Sequence, residues 1–168
     1  MSERHEDADV VEKVRAGWAV RYPDLDLRPV DVIGRTVRIA ALALARLDRD
    51  LASSGITRTE FDVLGALARS DTPLRASEVT SVTGISGAST TKNVERLVAM
   101  GLVERHRLER DGRVVLLSLT DEGRALVDEQ FPRRVEAERR MLDGLDDAEI
   151  ATLTELLRRV TRNVEGRG

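Results

Sequence analysis

The run Ser86-Gly87-Ala88-Ser89-Thr90-Thr91-Lys92-Asn93 concentrates more potential chemistry than any other stretch of this 168-residue chain. Ser89-Thr90-Thr91-Lys92 has the Ser-x-x-Lys spacing with which serine acyl-transfer enzymes set an amine beside a hydroxyl nucleophile. Those enzymes also need Ser-Asp-Asn and Lys-Thr-Gly elements, and the chain has neither. The other reading is a helix capped by Ser86, offering small and hydrogen-bonding side chains at the end where free backbone amides and the helix dipole attract an anion. With no large apolar residue among these eight positions, such an end can approach phosphates and base edges closely. An ordinary solvated helix face has the same composition, so the surrounding residues must decide.

The remaining inventory of reactive groups is short. Without cysteine there is no thiolate zinc site, iron–sulfur cluster or thiol sensor, and two histidines, His5 and His106, are too few and too far apart for a zinc cage. Phosphate-loop, zinc-protease, nucleophile-elbow and dinucleotide-binding patterns are all missing. No catalytic residue, cofactor or metal is expected. No apolar stretch approaches the ~20 residues needed to cross a bilayer, and Met1 to Asp9 lacks the apolar core of a signal peptide, so a cytoplasmic protein without a membrane partner is expected.

Charge is distributed unevenly. The chain carries −3 overall, but residues 86–113 hold six basic residues (Lys92, Arg96, Arg105, Arg107, Arg110, Arg113) against four acidic ones. That segment is therefore +2 and the rest of the chain −5. A locally basic segment on an acidic body is the electrostatic footprint of a modular DNA reader. Arg110 and Arg113 flank Asp111-Gly112, where a guanidinium at a hairpin tip is placed to enter a minor groove; a surface pair of Asp111 with Arg113 is the competing reading.

The elements that would position these groups follow from hydrophobic period and caps. Val10, Val11, Val14 and Trp18 define a short helix ending before Pro23, and Val30, Ile33, Val37, Ala40, Leu44, Leu47 and Leu51 form a heptad stripe on a helix of about 22 residues. Thr57 and Glu60 read as a capping box opening a helix to about Arg69. Ala76, Val79 and Val82 mark a short helix closed by Gly84, and the helix capped by Ser86 ends at Gly101. Leu102 to Leu108 and Val114 to Leu119 read as strands joined by an Asp111-Gly112 turn. From Asp121 a helix runs to about Leu142, and Asp146 with Glu149 caps a last helix carrying Ile150, Leu153, Leu156, Leu157, Val160 and Val164. Only about Met1 to Glu6 and Glu165 to Gly168 are expected to lack structure.

This order predicts a mainly α fold with a small β-wing, a winged helix-turn-helix flanked by N- and C-terminal dimerisation helices. The expected divisions are 1–54 (N-terminal helices), 55–120 (DNA-binding region) and 121–168 (C-terminal helices). The apolar faces near the two ends need a cover, which is either a second copy or each other. The DNA-facing candidates are Ser86, Gly87, Ser89, Thr90, Thr91, Lys92, Asn93, Arg96, Arg107, Arg110 and Arg113. The alternative is a protein-interaction module on the same scaffold.

Gly84-Ile85-Ser86 through Arg96-Leu97, Gly101-Leu102-Val103-Glu104-Arg105, Asp111-Gly112-Arg113 and Leu119-Thr120-Asp121-Glu122-Gly123, in this order, resemble the MarR family of bacterial transcription regulators. The resemblance implies a homodimer that reads a pseudo-palindromic double-stranded DNA operator, usually as a repressor, and that in many members releases DNA on binding a small molecule. Trp18 followed by Arg21-Tyr22-Pro23-Asp24-Leu25-Asp26, on an extra N-terminal helix, is similar to the urate-responsive subgroup. That subgroup's ligand residues fall on Trp18, Asp62, Asn93 and Arg105, with Asn93 standing where the subgroup has an arginine. An asparagine amide hydrogen-bonds an aromatic or purine-like effector without supplying a cation.

Overall fold

The computed structural model describes residues 9–108 and 111–166, and the side chains of all of these except 107, 108 and 111–114. The chain forms two compact units, residues 1–58 and 59–168. Most of the two ends expected to lack structure, and the wing residue Arg110, lie outside the described residues.

In the first unit, α1 (Val10–Arg21) begins at Asp9, whose carboxylate accepts a hydrogen bond from the Glu12 amide at 2.8 Å, and stops just before Pro23. It packs on α2 (Arg28–Ala52), which starts with Pro29 in its first turn, where the missing amide costs nothing. The contact centres on Gly34: a Cβ there would lie 2.9 Å from Val11 Cγ1. Ion pairs Asp9–Arg35 (2.8 Å) and Arg15–Asp31 (3.2 Å) border it. The heptad stripe divides in two, with Leu47 and Leu51 buried and Ile33, Val37 and Leu44 exposed.

The second unit is built around α3 (Arg58–Ala68), whose Phe61, Val63, Leu64, Ala66 and Leu67 are all buried. A two-residue strand β1 (Leu74–Arg75) precedes α4 (Ala76–Thr83), which ends on Gly84 at φ +70°, a left-handed cap that glycine adopts without strain. Then come α5 (Gly87–Ala99), β2 (Val103–Leu108) and β3 (Asp111–Leu119). The sheet is antiparallel in the order β1-β3-β2, with Leu74 opposite Leu117 and Val103 opposite Leu119. Val103, Leu117 and Leu119 face the core. β1 was not foreseen, since two residues carry no period.

One turn assignment is corrected. Asp111 already pairs with Leu108, so Asp111-Gly112 opens β3 rather than forming the turn itself.

Two further helices follow. α6 (Asp121–Arg139) is capped by Thr120, whose hydroxyl accepts from the Gly123 amide at 3.0 Å, and it runs into a short 3-10 turn at Arg140–Leu142. α7 (Asp147–Val164) opens on the expected capping box, Asp146 and Glu149 each accepting the other's amide at 2.9 Å. No residue of α7 is buried, and Leu153, Leu156 and Leu157 lie exposed along it. The single chain thus leaves apolar surface uncovered on both α2 and α7. No helix among the described residues is long and apolar enough to cross a membrane.

Candidate nucleic-acid interface

Two caps set the geometry of the helix pair. Glu78 accepts a hydrogen bond from the Arg75 amide at 2.6 Å and fixes the start of α4. Ser86 accepts from the Ser89 amide at 3.2 Å and fixes the start of α5. Between them the left-handed Gly84 lets the chain reverse within a few residues, so α5 emerges with Ser86, Gly87 and Ala88 exposed at its start.

The two faces of α5 then separate cleanly. Thr90, Asn93, Val94 and Leu97 are buried, whereas Ser86, Gly87, Ala88, Thr91, Lys92 and Glu95 are exposed and Ser89 is half-buried. The exposed set is small or polar and lies at the amide-bearing end of the helix, as an approach to phosphate and base edges requires. Thr91 is held by its hydroxyl donating to the Gly87 carbonyl at 3.0 Å, which leaves its lone pairs outward-facing acceptors.

Three of the expected DNA-facing residues bond within the protein. Thr90 has no exposed surface; its Oγ1 lies 2.8 Å from Thr80 Oγ1 on α4 and 3.2 Å from the Ser86 carbonyl oxygen, so it joins the two helices. Asn93 is 8% exposed and donates through Nδ2 to Ser89 Oγ at 3.3 Å, an internal brace of the helix. Arg96 donates through Nη1 to both carboxylate oxygens of Glu60 on α3, at 2.6 and 2.7 Å. The turn of the helix carries Thr90 and Asn93 inward, because positions 90, 93, 94 and 97 share one buried face, whereas the Arg96 side chain stays 48% exposed and reaches Glu60 from the edge of that face.

In the wing, Arg107 and Arg113 occupy backbone positions in β2 and β3, and their side chains lie outside the described ones. Arg105 is exposed on β2 opposite Leu117. The other face of the hairpin carries a small polar cluster: Ser118 Oγ donates to Glu104 Oε1 at 3.0 Å and lies 2.8 Å from His106 Nε2.

Of the remaining effector candidates, Trp18 is on α1 in the first unit, half-exposed and stacked on Tyr22 at 5.9 Å between ring centroids. Asp62 opens into a cleft of about 190 Å³ between α3, α4 and α6. Its walls are Phe61, Val82 and Phe131, and its polar groups include Asp62, Arg69 and Arg134. Arg134 Nη1 is 4.0 Å from Asp62 and its Nε donates to Glu138 at 2.8 Å. Arg69 forms no ion pair among the described residues, and its Nη1 lies over Gly65, 3.2 Å from where a Cβ would stand. Neither Asn93 nor Arg105 lines this cleft. Sequence reasoning missed Glu60, Arg69, Phe131 and Arg134. For Glu60 a signal was present: Val63, Leu64 and Leu67 follow at i+3, i+4 and i+7, which places its carboxylate on the core face.

A capped helix pair joined by a glycine turn, a polar outward face on the second helix and a β-hairpin beside it define a winged helix-turn-helix DNA-binding protein. The MarR family pattern matches residues 54–114. The chain is 32% identical over 161 residues to the HTH-type transcriptional regulator PecS of Dickeya dadantii, covering 95% of each. It therefore belongs to the MarR family of transcriptional regulators. Among solved structures, Sco3205 of Streptomyces coelicolor, a MarR family regulator in complex with DNA, is similar with a TM-score of 0.73 and 28% identity over 83% of this chain and 89% of that one. BpsR of Bordetella bronchiseptica, whose DNA binding is regulated by 6-hydroxynicotinic acid, aligns with a TM-score of 0.61 and 30% identity over 76% of this chain and 98% of that one.

Proposed function

We propose that the protein acts as a cytoplasmic, non-enzymatic homodimeric repressor that reads a pseudo-palindromic operator and is attenuated by a small aromatic or purine-like effector. The observation that carries the DNA reading is the division of α5 into a buried face and an exposed one. Ser86, Gly87, Thr91 and Lys92 on the exposed face approach the major groove, with Ser89 at its edge. Arg107, Arg110 and Arg113 serve the wing. The similarity to Sco3205, solved on DNA, supports the same use of these elements.

Dimerisation is supported by the uncovered apolar residues of α2 and α7, which a second copy would bury. The effector reading rests on the similarity to BpsR and on the cleft at Asp62. Aromatic walls with two arginines and one aspartate favour a planar ring bearing an acid group, and about 190 Å³ suits a single ring. Trp18 and Arg105 are the further effector candidates.

The test is fluorescence anisotropy of the full-length protein on the DNA upstream of its own gene, at two salt concentrations, with and without 6-hydroxynicotinate, urate and a panel of aromatic acids. Salt-sensitive binding relieved by one compound is the expected result. Tight binding indifferent to every compound would remove the effector, and an affinity without salt dependence would favour a protein-interaction module.

A further inference from the structure

Arg96 lies on the helix that reads DNA and its side chain is 48% exposed, yet its guanidinium is engaged by a buried carboxylate. Its partner Glu60 is 2% exposed, and a single guanidinium nitrogen of Arg96 reaches both of its oxygens. A buried carboxylate stripped of its cation is far more costly than an exposed phosphate left to water and salt, so an approaching duplex does not draw Arg96 away. The pair also spans elements, joining α5 to α3 across 36 residues of sequence.

A second polar tether holds the other half of α5. Thr90, six residues before Arg96, meets Thr80 of α4 hydroxyl to hydroxyl. Val94 and Leu97, between and after these two points, pack without directional preference and by themselves allow α5 to roll or slide. Hydrogen bonds at two points, to two different helices, restrict both motions.

We propose that Glu60 and Arg96 form a positioning pair that sets the roll of α5, and hence the selectivity of the regulator for its operator over other DNA, with Arg96 making no phosphate contact of its own. This rests on the reading that α5 enters the major groove. Lys92, one turn before Arg96 and exposed, is the side chain whose aim the pair controls most directly.

The experiment measures affinity of the full-length protein for its operator and for an unrelated duplex of equal length, across a salt series. Variants are Glu60→Gln, Arg96→Met and the two combined, with thermal melts as controls. Each single variant is expected to reduce the operator-to-unrelated ratio by about tenfold, comparable to a mismatched base pair, while the salt slope stays at the wild-type value. The combined variant, which leaves no unpaired buried charge, is expected to remain folded if a single one does not and to stay as unselective as the singles, because the directional tether is still missing. A salt slope lowered by about one in Arg96→Met, with the ratio unchanged, would make Arg96 a phosphate contact and overturn the proposal. A combined variant that recovers the wild-type ratio would overturn it equally, since apolar packing alone would then fix the roll of α5. Wild-type protein showing no salt-dependent binding would instead overturn the DNA-reading assignment of α5.

Discussion

Gly123 meets the backbone of Leu102 so closely that a Cβ on Gly123 would stand 2.0 Å from the Leu102 carbonyl oxygen. The same region is fastened by Thr120, whose amide donates to Leu102 O at 3.2 Å and whose hydroxyl donates to Gly101 O at 2.7 Å. α6 and the root of the wing are thus in backbone contact. Gly123→Ala must push them apart, and because the obstacle is main chain rather than a flexible side chain, a loss of about 2–3 kcal/mol is expected in urea denaturation.

Thr90 and Lys92 separate folding from DNA binding. Thr90→Val removes one hydroxyl of the Thr80–Thr90 pair and leaves the other without its partner, and it should lower stability by about 1–2 kcal/mol. Lys92→Ala should leave the melt unchanged and lower the salt slope of DNA binding by about one. A Lys92 variant with the wild-type slope would take that side chain off the phosphate backbone.

For the cleft, isothermal calorimetry with 6-hydroxynicotinate on Arg69→Ala and Phe131→Ala is decisive. Loss of the Arg69 guanidinium or of the ring wall should each weaken binding by about tenfold or more, with little change in stability, since both side chains are exposed. Wild-type binding in both variants would place the effector elsewhere.

Dimer assembly should fail first on α7. Leu156, half-exposed in the single chain, would become buried against a second copy, so Leu156→Asp should shift the protein from dimer to monomer in light scattering. It should also weaken operator binding, because two half-sites then no longer share one protein.

Acid sensitivity has an identifiable local source at the end of α6. Hydrogen bonds from Arg139, and then Arg140, hold the Glu136 carboxyl down at about 2, from an ordinary 4.5. A depressed carboxylate stabilises the folded state above its unfolded value, and that contribution fades as pH falls from about 4.5 toward about 2. Glu136→Gln should therefore flatten the decline in stability across that window, and carbon-detected NMR should show Glu136 titrating at about 2.

Much of the architecture was legible because it is encoded locally. Caps at Ser86 and Asp146, the stop before Pro23, the left-handed Gly84 and Gly101 and the apolar period of α2 and α7 each depend on residues within one or two turns. The winged helix-turn-helix follows from their order, and the resemblance in the motifs from Gly84 to Gly123 agrees with the family to which the chain belongs.

Tertiary structure alone decided how each side chain on those elements is used. Residues 86–93 read as one polar run, but α3 and α4 cover one side of α5, turning Thr90 and Asn93 inward while Thr91 and Lys92 stay outside. Glu60 reads as a cap residue and Arg96 as a DNA-facing one in the sequence, and only packing shows that the two also meet across 36 positions. The cleft at Asp62 likewise draws its walls from three helices distant in sequence. Local periodicity shows which residues share a helix face, but which faces are covered depends on contacts between elements far apart along the chain.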